Sequence, residues 1–230
     1  SVLNELSQQL LIATDNRASL RDATVLIPES WQTDSLTCSV PSPVGTISVP
    51  FDAHIQVAGS HPVFGSKPWT QQSQGCGRPG DFIQFGAELL KGSSNDTVYT
   101  HAARLLVAEW ARFRWGVFDE SGHDKDLLYP MTFLDPLTGD MTPNKCFYES
   151  RIYGFCNAED HIPEAPTKQN AQCKGLSVLD IINSSQDFKD YRIPFNKTLT
   201  AIEPSIQFLK RAPPRIIVLV ENSAVMNLQR

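Results

Sequence analysis

The residues of this chain most able to do chemistry are Glu109, Asp119 and Glu120, carried on the run from Leu105 to Glu120. Leu105, Leu106, Val107, Trp110 and Phe113 recur at three- and four-residue spacing, which predicts a buried helix over about Thr100 to Trp115. Gly116 predicts its stop, because glycine takes the left-handed turn that ends a helix. Asp119 and Glu120 then return beside the helix just left. A core helix with one acid in it and a second acid after a glycine turn is the frame of a zinc hydrolase. In such sites two histidines four apart on one helical face hold the metal, and a glutamate next to the first activates water. Glu109 holds that glutamate position, but Ala108 and Arg112 hold the two metal-ligand positions.

The replacements decide the chemistry. A zinc site of this kind needs three protein ligands, most of the affinity coming from imidazole. Alanine has no donor atom, and arginine stays protonated and cannot coordinate a cation. Two placements of Arg112 are compatible with the sequence. Its guanidinium either pairs with Glu109, Asp119 or both, one positive charge standing in for another, or it points to solvent from an eroded site.

The segment resembles the H-E-W-A-H-x-R-W-G-V-F-D-E signature of the calcium-activated chloride channel regulator (CLCA) family. Glu109, Trp110, Ala111, Arg114, Trp115, Gly116, Val117, Phe118, Asp119 and Glu120 match it, while Ala108 and Arg112 replace its histidines. Further similarity covers Arg21 to Trp31, Cys76 to Leu90 and Phe155 to Asp187. The resemblance implies an N-terminal zinc metalloprotease-like module, a zincin/metzincin-like mixed sheet packed on helices, whose third ligand is the acid at Asp119. It also implies a secreted regulator of calcium-activated chloride conductance whose self-cleavage needs the zinc site. A member with Ala108 and Arg112 is therefore expected to bind no zinc and no other cofactor, Glu109 being a vestigial general base. Cys76, Cys156 and Cys173 stand where the family has cysteines. On that resemblance the expected bridges are Cys156–Cys173 first and Cys76–Cys146 second.

The elements that must position these residues follow from patterning. Val2, Leu3, Leu6, Leu10 and Leu11 form a helical stripe ended at Asp15-Asn16. Ala23 to Ile27 is a branched apolar run stopped by Pro28, a strand. Ala53 to Ala58 and Phe82 to Phe85 read as two more strands, the last of them resembling the strand that lines a zinc-protease cleft. Gly59 to Gly80 is so punctuated by glycine and proline that it reads as a long ordered loop. Gly175 to Asp190 holds a helix with Leu176, Val178, Leu179, Ile181 and Ile182 as its apolar side, capped near Ser177. Together these give an α/β (α+β) layer fold.

Residues 1–205 read as this domain and 206–214 as a linker. Residues 215–230 read as the start of an incomplete von Willebrand type A domain. There Arg215 to Val220 is a continuous apolar strand. It is followed by Glu221 and Ser223 in a degenerate version of the type A metal motif, with Val225 replacing an oxygen ligand.

Net charge is −5 over 230 residues with a pI near 5.5, which offers no basic face for nucleic acid. No apolar run approaches the ~20 residues of a membrane span and no signal peptide is visible, so the sequence reads as a soluble piece, processed or truncated. Sequons at Asn95, Asn183 and Asn196 point weakly to secretion. The five cysteines allow two disulfides in an oxidising compartment, or buried thiols in a reducing one. His54, His61, His101, His123 and His161 have no metal spacing among them, and His123 reads as a surface residue.

Three functions compete. The first is an inactive metalloprotease-like domain, secreted or at the extracellular face of the plasma membrane, that binds an extracellular or membrane protein such as a chloride channel. The second is a working zinc hydrolase with unusual ligands such as Glu109, Asp119 and His123. The third is a structural module of an adhesion protein.

Overall fold

The computed structural model describes residues 2–28, 45–47, 53–90, 96–146, 154–189 and 203–211. Its elements in order are α1 (Val2–Ala13), β1 (Asp22–Ile27), β2 (Gly45–Ile47), β3 (Ile55–Ala58), β4 (Trp69–Gln71), β5 (Phe82–Gly86), a short 3-10 turn at Ala87–Leu90, and α2 (Asp96–Trp115). The hairpin strands β6 (Thr132–Leu134) and β7 (Met141–Pro143) follow, then α3 (Lys168–Cys173), α4 (Val178–Ser184), α5 (Gln186–Lys189) and β8 (Ser205–Arg211). The architecture is mixed, helices with small sheets. It forms two compact units, residues 1–21 with 52–205, and residues 22–51 with 206–230.

The first unit carries the core. Leu6 and Leu10 of α1 meet Ala103, Leu106, Val107 and Ala111 of α2, along with Ile83 and Phe85 of β5. The stripe is α-helical because its apolar residues fall every three or four positions. Asp15 and Asn16 end α1 in left-handed conformation, φ 51° and 62°. β5 lies between β3, which runs parallel to it with Ile55 opposite Ile83, and β4, which runs antiparallel with Gln71 opposite Phe82. β5 is thus the central strand of its sheet. β4 was not anticipated, the whole stretch from Gly59 to Gly80 having read as loop. Its three residues form a strand only because β5 offers an unpaired edge.

The helix expected over 175–190 is divided. Ser177 caps α4 in a reciprocal capping box with Asp180, satisfying two backbone donors that a helix start leaves orphaned. Ser185 then interrupts it before α5. Val178, Ile181 and Ile182 are buried as the stripe predicts, whereas Leu176 lies before the cap and is exposed.

In the second unit β8 is the middle strand of the order β1-β8-β2, running parallel to β2 with Gly45 opposite Leu209. Residues 206–211, read from sequence as linker, therefore belong to a strand. Residues 215–230, with Glu221 and Ser223, lie outside the described residues, as do Cys38, Asn95 and Asn196.

The disulfides are Cys76–Cys173 and Cys146–Cys156, which corrects both expected pairings. The reason is packing around the end of α2. The loop before β5 is held there by Gly77 N–H donating to the Gly116 carbonyl and Gly80 N–H donating to that of Phe113. α3 reaches the same turn through Gln169, whose backbone N–H donates to the Asp119 carbonyl and whose side-chain oxygen accepts from Phe118 N–H. Cys76 and Cys173 are thereby brought face to face, leaving Cys156 to its near neighbour Cys146.

The two bridges close loops of very different length, 97 and 10 residues apart in sequence. Replacing both cysteines of Cys76–Cys173 by serine is expected to cost about 4.7 kcal/mol of unfolding free energy, against about 2.7 kcal/mol for Cys146–Cys156, by loop-closure entropy. Urea titration of the two double variants measures the difference. Equal losses would show that strain or residual structure, not loop length, governs them.

Candidate functional site

The site forms at the last two turns of α2, where the helix faces β4 on one side and its own return loop on the other. Gly116 ends the helix at φ +64°, and its N–H donates to the Arg112 carbonyl. No other residue fits, since a Cβ there would lie 2.1 Å from the Arg78 carbonyl oxygen. The turn sends Val117 and Phe118 into the core and returns Asp119 beside the helix.

Glu109 points inward and is only 6% exposed. One carboxylate oxygen is bound by the Arg112 guanidinium, and the other lies 2.7 Å from the Thr70 hydroxyl of β4. That hydroxyl also sits 3.0 Å from the Glu109 carbonyl, so β4 is fastened to the helix at the acid itself. Arg112 uses its second terminal nitrogen to bind Asp119. The guanidinium therefore spans the two acids. Burial alone would lower its proton affinity, but the charges and hydrogen bonds of Asp119 and Glu109 outweigh that and raise it above the ordinary arginine value. Gln72 completes the collar, its amide donating to the carbonyls of Arg112 and Arg78.

The sequence-derived residues thus divide. Glu109, Arg112 and Asp119 come together, and of the two placements open to Arg112 the structure has the paired one. His123 is exposed, and its Nε2 lies 3.5 Å from the second Asp119 oxygen. Ala108 is exposed and brings no polar side-chain atom. Asn183 is exposed on α4, where its side chain faces solvent. Thr70 and Gln72 had no signal in the sequence, because their role depends on β4 pairing with β5. Both oxygens of Glu109 are thus engaged, one by Arg112 and the other by Thr70.

Two further anchors flank the centre. Arg114 binds Asp187 through Nε and a terminal nitrogen, at 2.8 and 2.6 Å, while Trp115 donates its indole N–H to the same carboxylate at 2.9 Å. The Arg114 hydrogen bond, with help from Trp115, holds the Asp187 carboxyl below the usual aspartate range. On the other side Glu120, its side chain 7% exposed, accepts the Val178 N–H at 2.6 Å and faces His161 Nδ1 at 3.3 Å. Burial works to lower the His161 proton affinity, but the hydrogen bond and charge of Glu120 and the Gly175 carbonyl raise it overall. Nothing in the sequence paired His161 with Glu120, 41 residues away.

Comparison with known proteins gives one consistent result. A model of the calcium-activated chloride channel N-terminal family, CLCA, matches residues 1–132 and 147–194. Calcium-activated chloride channel regulator 2 of Homo sapiens is 26% identical over 266 residues, covering 98% of this chain and 28% of that protein. Its Mus musculus counterpart is 28% identical over 261 residues, covering 95% and 27%. Regulator 4 of Homo sapiens is 27% identical over 263 residues, covering 93% and 27%. The chain therefore spans just over a quarter of the length of these relatives. No solved structure matches.

Two measurements check the electrostatic account. Arg112→Ala strands the buried Glu109 carboxylate and is expected to cost roughly 2–4 kcal/mol, somewhat below a fully buried pair because Arg112 is partly exposed. Combining it with Glu109→Gln should recover part of the loss, and denaturant melts of the single and double variants read this directly. Asp187→Asn should destabilise the chain at neutral pH, since a depressed carboxylate contributes stability above its unfolded pKa of about 3.9. That contribution disappears as pH falls through the folded value. The gap between wild type and Asp187→Asn in thermal melts should thus close in acid, and a gap independent of pH would refute the ion pair.

Proposed function

Because the chain belongs to the calcium-activated chloride channel regulator family, we propose that it is the metalloprotease-like part of such a regulator and that it acts by binding rather than by cutting. The observation that carries this reading is the placement of Arg112 between Glu109 and Asp119. Zinc in this frame requires two imidazoles from the helix and the acid after the turn. Ala108 offers nothing, and the Arg112 guanidinium already holds the carboxylates that a metal would need. The residues present do not fit zinc. The zincin-like fold then serves as a scaffold, with an internal cation in place of a bound one.

The partner on this reading is an extracellular or membrane protein such as the chloride channel in the relatives' names. The location is outside the cell or at the outer membrane face. Two disulfides support an oxidising compartment, and exposed Asn183 offers a sequon there. Among the described residues no helix is long and apolar enough to cross a membrane. The reading of a working hydrolase built on Glu109, Asp119 and His123 would require Arg112 to leave both of its partners.

Metal analysis of the oxidised chain, without added thiol, tests the proposal. Wild type should hold no tightly bound zinc and cleave no peptide, whereas Ala108→His with Arg112→His should gain zinc. In cells, calcium-activated chloride current should respond equally to wild type and to Glu109→Gln. Stoichiometric zinc in wild type, with cleavage abolished by Glu109→Gln, would overturn the inactive reading.

A further inference from the structure

We propose that the Cys146–Cys156 bridge masks a metal site, built from Cys156, His161, Glu120 and Cys146, that takes zinc when the bridge is reduced. The sulfur of Cys156, a carboxylate oxygen of Glu120 and a ring nitrogen of His161 all lie within 4.8 Å of one another. In a tetrahedral zinc site ligand atoms stand about 3.3–3.8 Å apart, given bonds of 2.0–2.3 Å. Small side-chain rotations cover the difference. The Cys146 sulfur, bonded to that of Cys156, needs only to swing away once released.

The surroundings are those of a metal site. His161 Nε2 lies 2.9 Å from the Gly175 carbonyl, which fixes the proton on that nitrogen and leaves Nδ1 turned to Glu120. A ligating histidine almost always has this arrangement, its second nitrogen held by a carbonyl or carboxylate. One oxygen of Glu120 is likewise held, by Val178 N–H, while the other is buried with no hydrogen-bond partner. A buried carboxylate oxygen left bare is costly unless something binds it. The Asn170 amide oxygen is buried and bare as well. Both residues line one small cavity, together with His161, Cys146, Thr167 and Lys145. Two thiolates and a carboxylate exceed the zinc charge by one, and the exposed Lys145 at the cavity supplies the balance.

The exchange is balanced with a thiol reductant as co-reactant. A thiolate attacks one sulfur of the bridge and forms a mixed disulfide, and a second thiol displaces it, leaving two cysteine thiols and the oxidised reductant. Zinc then displaces both thiol protons, and the Nδ1 proton of His161 where one is held. Soft sulfur with imidazole favours zinc over calcium or magnesium. In an oxidising compartment the bridge forms and the site is closed, so the state of these two cysteines reports redox conditions.

Cobalt(II) gives the test, because thiolate ligation produces a charge-transfer band together with tetrahedral visible bands. The chain carrying Cys38→Ser and Cys146→Ala keeps Cys76–Cys173 and frees the Cys156 thiol without any reductant. It should take up one cobalt with a thiolate band, displaced by zinc, while oxidised wild type shows none. Adding His161→Ala should weaken that binding by at least about 10-fold. A folded Cys38→Ser, Cys146→Ala chain with no thiolate band, or unchanged affinity in the His161→Ala variant, overturns the proposal. Should that chain fail to fold, wild type reduced with a phosphine provides the reading: a two-thiolate cobalt spectrum supports the site, and its absence rejects it.

Discussion

Burying a carboxylate as deeply as Glu109 is costly unless a positive group pairs with it, and the end of α2 is organised around that requirement. Arg112 supplies the charge from one turn further along the same helix and reaches on to Asp119 with its second terminal nitrogen. The position of Asp119 depends on the turn at Gly116, which in turn depends on the close approach of the Arg78 backbone. Thr70 takes the second oxygen of Glu109 and fixes β4. One buried acid thus links a helix, a strand and a loop. A triad of this kind contributes little net stability over an apolar replacement of equal shape, since desolvation offsets most of the attraction. Its contribution is to select one arrangement, because moving Arg112 away leaves the buried Glu109 carboxylate without its cation.

The parts of the fold legible in the sequence are those set by local rules. The 3.6-residue spacing gave α1 and α2, the left-handed requirement gave Gly116, and a serine before an apolar run gave the cap of α4. β5 was visible as a short run of aromatic and branched residues. What was hidden depended on partners distant in the chain. β4 is three residues long and exists through pairing with β5. The disulfides, expected from the resemblance, were misassigned because cysteine positions alone do not say which loops meet at the end of α2. β8 was obscured by its polar flank and the prolines after it, although its Ile206 and Phe208 alternate as a strand should. At the site, Glu109, Arg112 and Asp119 could be read directly. Thr70, Gln72 and the pair Glu120 and His161 could not, since their roles arise from tertiary packing.

Family membership and divergence meet in the same few residues. The match to the family model stops at residue 132 and resumes at 147, so it omits the β6–β7 hairpin and Cys146. The segment outside the match is also where apolar side chains stand in solvent, among them Leu134, Leu137 and Met141. The family model thus covers the helix, the glycine turn and α4 and leaves most of the hairpin outside it.

The Cys76–Cys173 bridge encloses α2, the turn and the hairpin in a single covalent ring. A protease that nicks the exposed hairpin or the segment following it would divide the polypeptide without separating the pieces. Cut molecules would differ from uncut ones only by the water added in hydrolysis until the bridge is reduced. Processing of this region would thus alter chain continuity while leaving the two pieces joined.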